Sequence, residues 1–207
     1  MYSHHRSVIV STIAVFIVMV LASIEPLEWS SYLLHQLGTL LFLALMLIAY
    51  HYRYISSRSY VFATLFLFIH IIGARYLYSY VPYDDWTQQL LGIRLGERFG
   101  WQRNMYDRLV HFSYGLLLFS AMFESARSLF AIHSTKRLIA LALMINMSSS
   151  LLYELIEWSI AMTLSPEAAE AYNGQQGDVW DAHKDMTVAL LGGLIAAGMV
   201  LFRVRKN

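Results

Sequence analysis

The chain has 207 residues, of which 57% are hydrophobic and only 14% are charged. A soluble domain carries about 25% charged residues, and a chain of this size exposes much of its surface, so lipid must form a large part of its surroundings. The net charge of +1 does not support a nucleic-acid partner, and the absence of cysteine excludes disulfides, zinc–thiolate sites and thiol catalysis.

Six apolar segments follow one another along the chain, each close to the roughly 20 residues that a spanning helix needs. We predict spans at 7–24, 32–51, 60–81, 107–124, 138–163 and 183–203. Two connections are long, 82–106 and 164–182, and we expect the first to be a loop with a short interfacial helix. The predicted fold is all-α, a polytopic membrane helix bundle in which residues 1–207 form a single integral membrane domain.

Positively charged residues mark one side of the predicted membrane. They lie near the N-terminus, in connections 52–59 and 125–137, and at the C-terminus as Arg203, Arg205 and Lys206. Connection 164–182, on the opposite side, is acidic. Because cytoplasmic connections carry the excess of lysine and arginine, we predict that both ends of the chain are cytoplasmic.

Ionisable side chains in four of the spans fall into one layer, close to the predicted extracytoplasmic surface. Counting from the cytoplasmic end of each helix at about 1.5 Å per residue places Arg75, His111, Glu154 and Asp185 roughly 24–27 Å across. The inner halves of the last three spans carry no charge. A charge inside a span is costly and is usually functional, so this layer is the candidate site.

Helical spacing places the layer's polar groups on single faces. These are Asp107 and His111 on the fourth span and Asn146, Ser150, Glu154 and Glu157 on the fifth. Asp178, Asp181 and Asp185 share a face of the sixth if that helix extends outward as far as residue 178. Beyond Asp185 the same face continues as Ala189, Gly192 and Ala196. Small residues allow close helix approach, so we expect this face to pack against the fourth and fifth spans.

So many carboxylates in one place must be neutralised, because like charges at short range cannot all ionise. A divalent cation (Mg, Mn or Zn), basic side chains such as Arg103 and Arg108, or protons would each achieve this. In the first hypothesis Glu154 is the catalytic general base on an activated water. The predicted metal ligands are Asp107, His111, Glu157, Asp181 and Asp185.

Four further side chains are candidates for binding a substrate. Arg75 would meet a phosphate or carboxylate headgroup, and His70, Tyr78 and Asp178 would line the site. Each also has a structural interpretation. Arg75 would be a counter-ion, His70 a hydrogen-bonded core histidine, Tyr78 part of an interfacial aromatic belt, and Asp178 a helix cap.

Four ordered stretches, His70–Tyr78, Asn104–Phe112, Glu154–Trp158 and Gly177–Met186, resemble the YjdF-like family of bacterial inner-membrane proteins. The similarity covers nearly the whole chain. It implies a multi-pass protein of the bacterial inner membrane, and it implies no activity, because the function of that family is unknown.

A looser pattern is similar to VanZ-like membrane proteins. Asp107, His111 and Phe112 match the start of one of their helices, with arginine in place of lysine at position 108. Glu154 and Glu157 match a Glu-x-x-Gln pair, with glutamate in place of glutamine. This likeness implies a cell-envelope or lipid-associated role.

Three functional hypotheses follow from these patterns. The leading one is a metal-dependent hydrolase or transferase that acts on a lipid-linked substrate in the bilayer. The second is a cation or proton binding or transport protein, which requires a continuous polar route to the cytoplasm. The third is a non-catalytic membrane protein whose polar network only fixes helix packing.

Overall fold

The computed structural model describes the backbone of residues 2–206 and the side chains of all of these except 2–4, 166–167, 170–171 and 205–206. Its helices are α1 (Tyr2–Ala22), α2 (Trp29–His51), α3 (Ser57–Arg75), α4 (Tyr83–Leu91), α5 (Leu95–Phe99), α6 (Tyr106–Phe130), α7 (Thr135–Ala161), α8 (Pro166–Asn173) and α9 (Asp181–Lys206). No strand occurs among these residues.

Six helices in the described part of the chain are long and apolar enough to cross a membrane, namely α1, α2, α3, α6, α7 and α9. Their apolar stretches are 18 to 27 residues long, with mean hydropathies between 1.2 and 2.0. Large side chains such as Val20 and Leu41 point outward from them, which suits contact with lipid. The predicted polytopic helical fold is therefore confirmed.

The orientation of the bundle in the membrane stays a prediction from the charge pattern. Six crossings return the chain to the side on which it began, so the basic connections share one end of the bundle. The side chains of Arg205 and Lys206, which contribute to that prediction, lie outside the described residues.

The third span is shorter than the sequence predicts, because α3 ends at Arg75 and not near residue 81. Leu77 and Tyr78 have φ angles of 50° and 54°, a left-handed conformation that ends a helix. The backbone N–H of Tyr78 donates to the carbonyl of Gly73 at 2.8 Å. The turn folds the Tyr78 ring back over Gly73, where a Cβ atom would lie 2.5 Å from the ring.

The bundle consists of two packed groups that meet through α3 and α6. In the first group α3 packs against α1 and α2, and in the second α9 packs against α6 and α7. An apolar cluster that includes Phe119, Leu138 and Ala142 fills the second group at the end where Arg127 lies. That end of the second group is therefore closed by apolar side chains.

The closest helix pair is α6 with α9, and glycines make this approach possible. A Cβ atom at Gly115 would collide with the carbonyl of Ala189, and one at Gly192 would collide with the carbonyl of Phe112. The face of small residues below Asp185 thus packs against α6 as its spacing predicts. This contact fixes the acidic end of α9 beside the start of α6.

The two long connections contain short helices. Connection 82–106 holds α4 and α5, joined by an ion pair of 2.9 Å between Arg94 and Asp85 and by the hydrogen bond from the Gly96 N–H to Asp84. Leu90 and Leu91 are exposed on α4. The predicted short helix in this connection is therefore present, followed by a second one.

Candidate metal centre

The start of α6 supplies two side chains of the site. Asp107 and His111 are one helical turn apart and so project from the same face, and both are buried. The Nε2 atom of His111 lies 3.6 Å from Oδ1 of Asp107. The pair therefore offers one nitrogen and one carboxylate oxygen to the interior of the bundle.

The start of α9 adds a third ligand. Asp185 is only 2% exposed, and its Oδ1 atom lies 3.9 Å from Nε2 of His111. One ligand atom from each of Asp107, His111 and Asp185 lies within 4.8 Å of the others. Oδ1 of Asp185 is buried without a hydrogen-bond partner among the described residues, so it is free to bind a ligand.

Helix α7 contributes Glu154 from the opposite side of His111. Oε1 of Glu154 lies 3.7 Å from Nδ1 of His111, and within the described chain this buried oxygen has no hydrogen-bond partner. Glu157 lies one turn further along the same helix. The structure thus brings Glu154 to the three candidate ligands, whereas Glu157 is not in the group of described side chains whose ligand atoms lie within 4.8 Å of one another.

Two arginines bridge the aspartates of α9. Arg108 forms ion pairs with Asp181 and Asp185 and lies 3.6 Å from Oδ2 of Asp107. Arg103 pairs with Asp181 at 2.6 Å. Asp181 therefore pairs with two guanidinium groups. Asp185 pairs through one oxygen with Arg108, and its other oxygen has no hydrogen-bond partner among the described residues.

Asp178 lies just before α9, and its carboxylate interacts with several donors. Its carboxylate accepts from the Trp180 N–H at 3.1 Å and from Lys184 Nζ at 2.6 Å, and it lies 3.3 Å from Arg108. The Lys184 hydrogen bond is the main cause that lowers the pKa of Asp178 below its ordinary value of 3.8. Asp178 thus stabilises the start of α9 and belongs to the ion-pair network.

The buried cluster contains more carboxylates than cationic side chains. In the part of the chain that the structure describes, Arg103, Arg108 and Lys184 face four aspartates. Glu154 adds a fifth carboxylate beside His111. The cluster therefore holds more carboxyl groups than its cationic side chains can neutralise, next to Asp107, His111 and Asp185.

Arg75 lies apart from this cluster. Its guanidinium donates to the carbonyl of Leu21 at 2.9 Å and lies 5.4 Å from the ring centroid of Tyr76. These contacts tie the end of α3 to the end of α1. The structure therefore does not bring Arg75 to the candidate ligands.

His70 and Tyr78 pair with each other. The Tyr78 hydroxyl lies 2.9 Å from Nδ1 of His70, and Nε2 of His70 lies 3.5 Å from the carbonyl of His35. Because the His35 carbonyl can only accept, Nε2 of His70 carries the ring proton, and Nδ1 accepts from the Tyr78 hydroxyl. Both nitrogens of His70 are thus engaged within the protein.

A cavity of about 380 Å³ connects the His70–Tyr78 pair to Asp107 and His111, and all four side chains line it. The cavity lies between α2, α3, α6 and α7. Its volume is within the range of about 300–1,000 Å³ that is usual for small-molecule sites. Asp107 and His111 therefore open onto a space that can hold a substrate, whereas Asp185 and Glu154 are not among the lining residues that the structure describes.

Sequence patterns did not assign His35, Tyr153 and Tyr172 to the site, although all three line the cavity. The ring of His35 stacks on Tyr172 with centroids 4.7 Å apart. The one sequence signal for His35 was the position of this polar residue within an apolar segment. Tyr172 follows no periodic pattern, because it reaches the cavity from α8 in a long connection.

Comparison with known proteins identifies the family. Residues 6–207 match the family described as "Predicted membrane protein (DUF2238)". The chain is 33% identical over 132 residues to the inner membrane protein YjdF of Escherichia coli (strain K12), which is 62% of this chain and 59% of that protein. The chain thus aligns with less than two thirds of that relative's length.

No solved structure matches the chain. The family match, the inner-membrane relative and the six apolar helices together establish an integral protein of the inner membrane. The similarity predicted from four sequence stretches is thereby confirmed. The chain belongs to the DUF2238 family of predicted membrane proteins and is similar to YjdF.

Proposed function

We propose that this protein is a metal-dependent enzyme of the inner membrane that hydrolyses, or transfers a group from, a lipid-linked substrate. The observation that carries the proposal is the buried group of Asp107, His111 and Asp185, whose ligand atoms lie within 4.8 Å of one another. Metal bonds of about 2.0–2.2 Å place the ligand atoms of a tetrahedral site roughly 3.3–3.6 Å apart, and Nε2 of His111 lies 3.6 Å from Oδ1 of Asp107 and 3.9 Å from Oδ1 of Asp185. The adjoining cavity provides room for the substrate.

The charge of the cluster supports a bound cation. A divalent ion would hold Asp107 and Asp185 in their ionised forms and so meet two negative charges, and the carboxyl groups outnumber the cationic side chains even after Arg108 has paired with Asp185. One imidazole with two carboxylates suits Zn or Mn better than Mg, which prefers oxygen ligands alone. We therefore propose zinc or manganese as the ion, with magnesium as the alternative.

Glu154 has the position of a general base. Its free Oε1 lies 3.7 Å from His111, within reach of a water held beside the ligands. In hydrolysis, the water oxygen would attack the substrate while Glu154 takes its proton. The bond to the leaving oxygen would then break, and Glu154 would return the proton to that oxygen.

The transport alternative receives less support from the interior below the site. Asn146 and Ser150 are buried polar residues on α7 that continue toward the opposite end of the bundle. Below them the apolar cluster around Phe119 and Leu138 fills the space. A transported ion would have to cross that cluster, and such a crossing is costly.

The purely structural alternative rests on the ion pairs of Arg103 and Arg108, which neutralise most of the aspartates. It does not explain the unpaired oxygens of Asp185 and Glu154, because a buried carboxylate oxygen without a partner is destabilising. A network built only for stability would be expected to satisfy both.

Elemental analysis of detergent-purified protein tests the proposal. We expect near-stoichiometric zinc or manganese in the wild type, and its loss in Asp107→Asn and Asp185→Asn. Asp85→Asn is the matched control, since Asp85 forms an exposed ion pair with Arg94, and it should retain the metal. A wild type that stays metal-free after incubation with Zn, Mn and Mg would refute the proposal.

The role of Glu154 is tested separately with Glu154→Gln, which keeps the size of the side chain. We expect this variant to retain its metal and to lose about a hundredfold or more in hydrolysis of a lipid-linked substrate, as removal of a general base predicts. Unchanged turnover with bound metal would exclude Glu154 as the base.

A further inference from the structure

The cavity beside the candidate metal centre opens between two helices that do not pack closely together. Among the described residues, α2 makes its main contacts with α3, whereas α7 contacts α6, α8 and α9. Leu37 and Leu41 of α2 and Ile156 of α7 line the cavity, and each also has an exposed surface. Since both helices are membrane spans, this opening faces the hydrocarbon of the bilayer.

The residues that line the cavity favour an apolar ligand that carries an uncharged polar group. Most lining residues are aliphatic or aromatic, and no lysine or arginine is among those that the structure describes there. A divalent ion would be neutralised by Asp107 and Asp185 and would leave no positive charge for a phosphate. A chain with a neutral linkage therefore fits the cavity better than an anionic headgroup.

His35 lines the cavity and carries a polar atom that lacks a partner among the described residues. The side chain is only 3% exposed, and its Nε2 atom is buried with no hydrogen-bond partner in the described structure. The stacked Tyr172 ring and the Tyr78 ring, 5.0 Å away edge-on, hold the imidazole in place. A buried polar atom without a partner costs free energy that a ligand hydrogen bond would recover.

We propose that the substrate is an ester-linked glycerolipid that enters from the bilayer between α2 and α7 and accepts a hydrogen bond from His35 Nε2–H at its ester carbonyl. One acyl chain occupies the cavity, and the ester lies on the side of the cavity lined by Asp107 and His111. This inference rests on the proposed function and names the substrate class of that site.

Gly38 offers a way to fill the cavity without disturbing the helices. It lines the cavity, and a Cβ atom built there meets no described atom within 4 Å. Gly38→Leu therefore places a side chain in the lipid's space. Gly198→Leu is the matched control, because a Cβ at Gly198 also meets nothing described within 4 Å and Gly198 is not among the described cavity residues.

The test uses full-length protein in nanodiscs that contain a phosphatidylglycerol with a photoreactive group on one acyl chain. After illumination, mass spectrometry maps the labelled peptides. We expect labelling of the α2 and α7 cavity residues in the wild type and in Gly198→Leu, and loss of most of it in Gly38→Leu. His35→Phe keeps the apolar volume, and loss of one hydrogen bond should weaken binding roughly fivefold to tenfold.

Metal content, measured on the same preparations, separates this inference from the proposed function. Lost labelling with retained metal in Gly38→Leu supports the lipid site. Equal labelling in Gly38→Leu and the wild type, or labelling confined to surfaces outside the cavity, overturns the lipid site and leaves the metal centre intact. Absence of metal from all preparations overturns the enzyme and, with it, the lipid's role as a substrate.

Discussion

Arg108 determines how the aspartates of α9 can coexist in the interior. It bridges Asp181 and Asp185 and leaves one oxygen of Asp185 unpaired. The sequence indicated the arginines near Asp107 as one means of neutralising the cluster. The sequence could not indicate with which carboxylates the arginines form ion pairs, because Arg108 contacts residues more than 70 positions away along the chain.

Replacement of Arg108 should be strongly destabilising. Arg108→Gln leaves Asp181 and Asp185 without their main buried partner, and loss of one member of a buried ion pair costs about 3–5 kcal/mol. Arg94→Gln removes an exposed pair and should cost about 1 kcal/mol or less. Titration with SDS in mixed micelles measures the free energy of unfolding of both variants. A similar loss of stability in the two variants would show that Arg108 is not buried in a paired network.

The carboxylate of Asp178 predicts a dependence of stability on pH. Its pKa is lowered in the folded protein, first by the Lys184 hydrogen bond, so its stabilising effect is present above the ordinary value and is lost as the pH falls through the lowered value. At neutral pH, Asp178→Asn should therefore have the lower Tm.

That difference in Tm between the wild type and Asp178→Asn should close below pH 3.8, the ordinary value for this group. Lys184→Gln, which removes the first of the stabilising partners, should show the same loss at neutral pH. Thermal melts across the acidic range measure the effect. A difference that persists unchanged at the acidic end would contradict a lowered pKa for Asp178.

Among the helices, the sequence predicted those parts that periodicity and length determine. The six spans, the polar faces of α6 and α7, and the small-residue face of α9 all follow from spacing. The predicted end of α3 was wrong, because Leu77 and Tyr78 adopt positive φ angles and no glycine in the sequence indicates this turn. As a result Tyr78 is buried beside His70 and does not belong to an interfacial belt.

The close contact between α6 and α9 should tolerate no side chain at Gly192. A Cβ there would collide with the carbonyl of Phe112, so Gly192→Ala should cost about 1–3 kcal/mol through overpacking. Gly198→Ala, in open space on the same helix, should instead leave stability nearly unchanged or raise it, since alanine favours helices. Equal effects of the two substitutions on SDS-induced unfolding would exclude the close approach.

For the bundle as a whole, the sequence predicted that ionisable groups from several helices share one layer. It could not predict the gap between α2 and α7, because hydrophobic patterns distinguish lipid-facing from buried residues but not which lipid-facing helices leave a space between them. For the same reason the cavity and the role of His35 were not predictable.

The absence of cysteine makes the predicted orientation easy to test. We expect Ser134→Cys, in the basic connection before α7, to be protected from a membrane-impermeant maleimide in intact cells. Gln89→Cys, on the exposed face of α4, should be labelled. Reversed labelling would place the metal centre on the cytoplasmic side.

The X-ray absorption spectrum of zinc-loaded, tag-free protein at the zinc edge tests the metal centre itself. The expected spectrum has one imidazole and additional oxygen ligands at about 2.0–2.2 Å. The imidazole contribution should disappear in His111→Gln and persist in His133→Gln, which alters an exposed histidine. A wild-type spectrum without imidazole, or one unchanged in His111→Gln, would contradict a cation held by Asp107, His111 and Asp185.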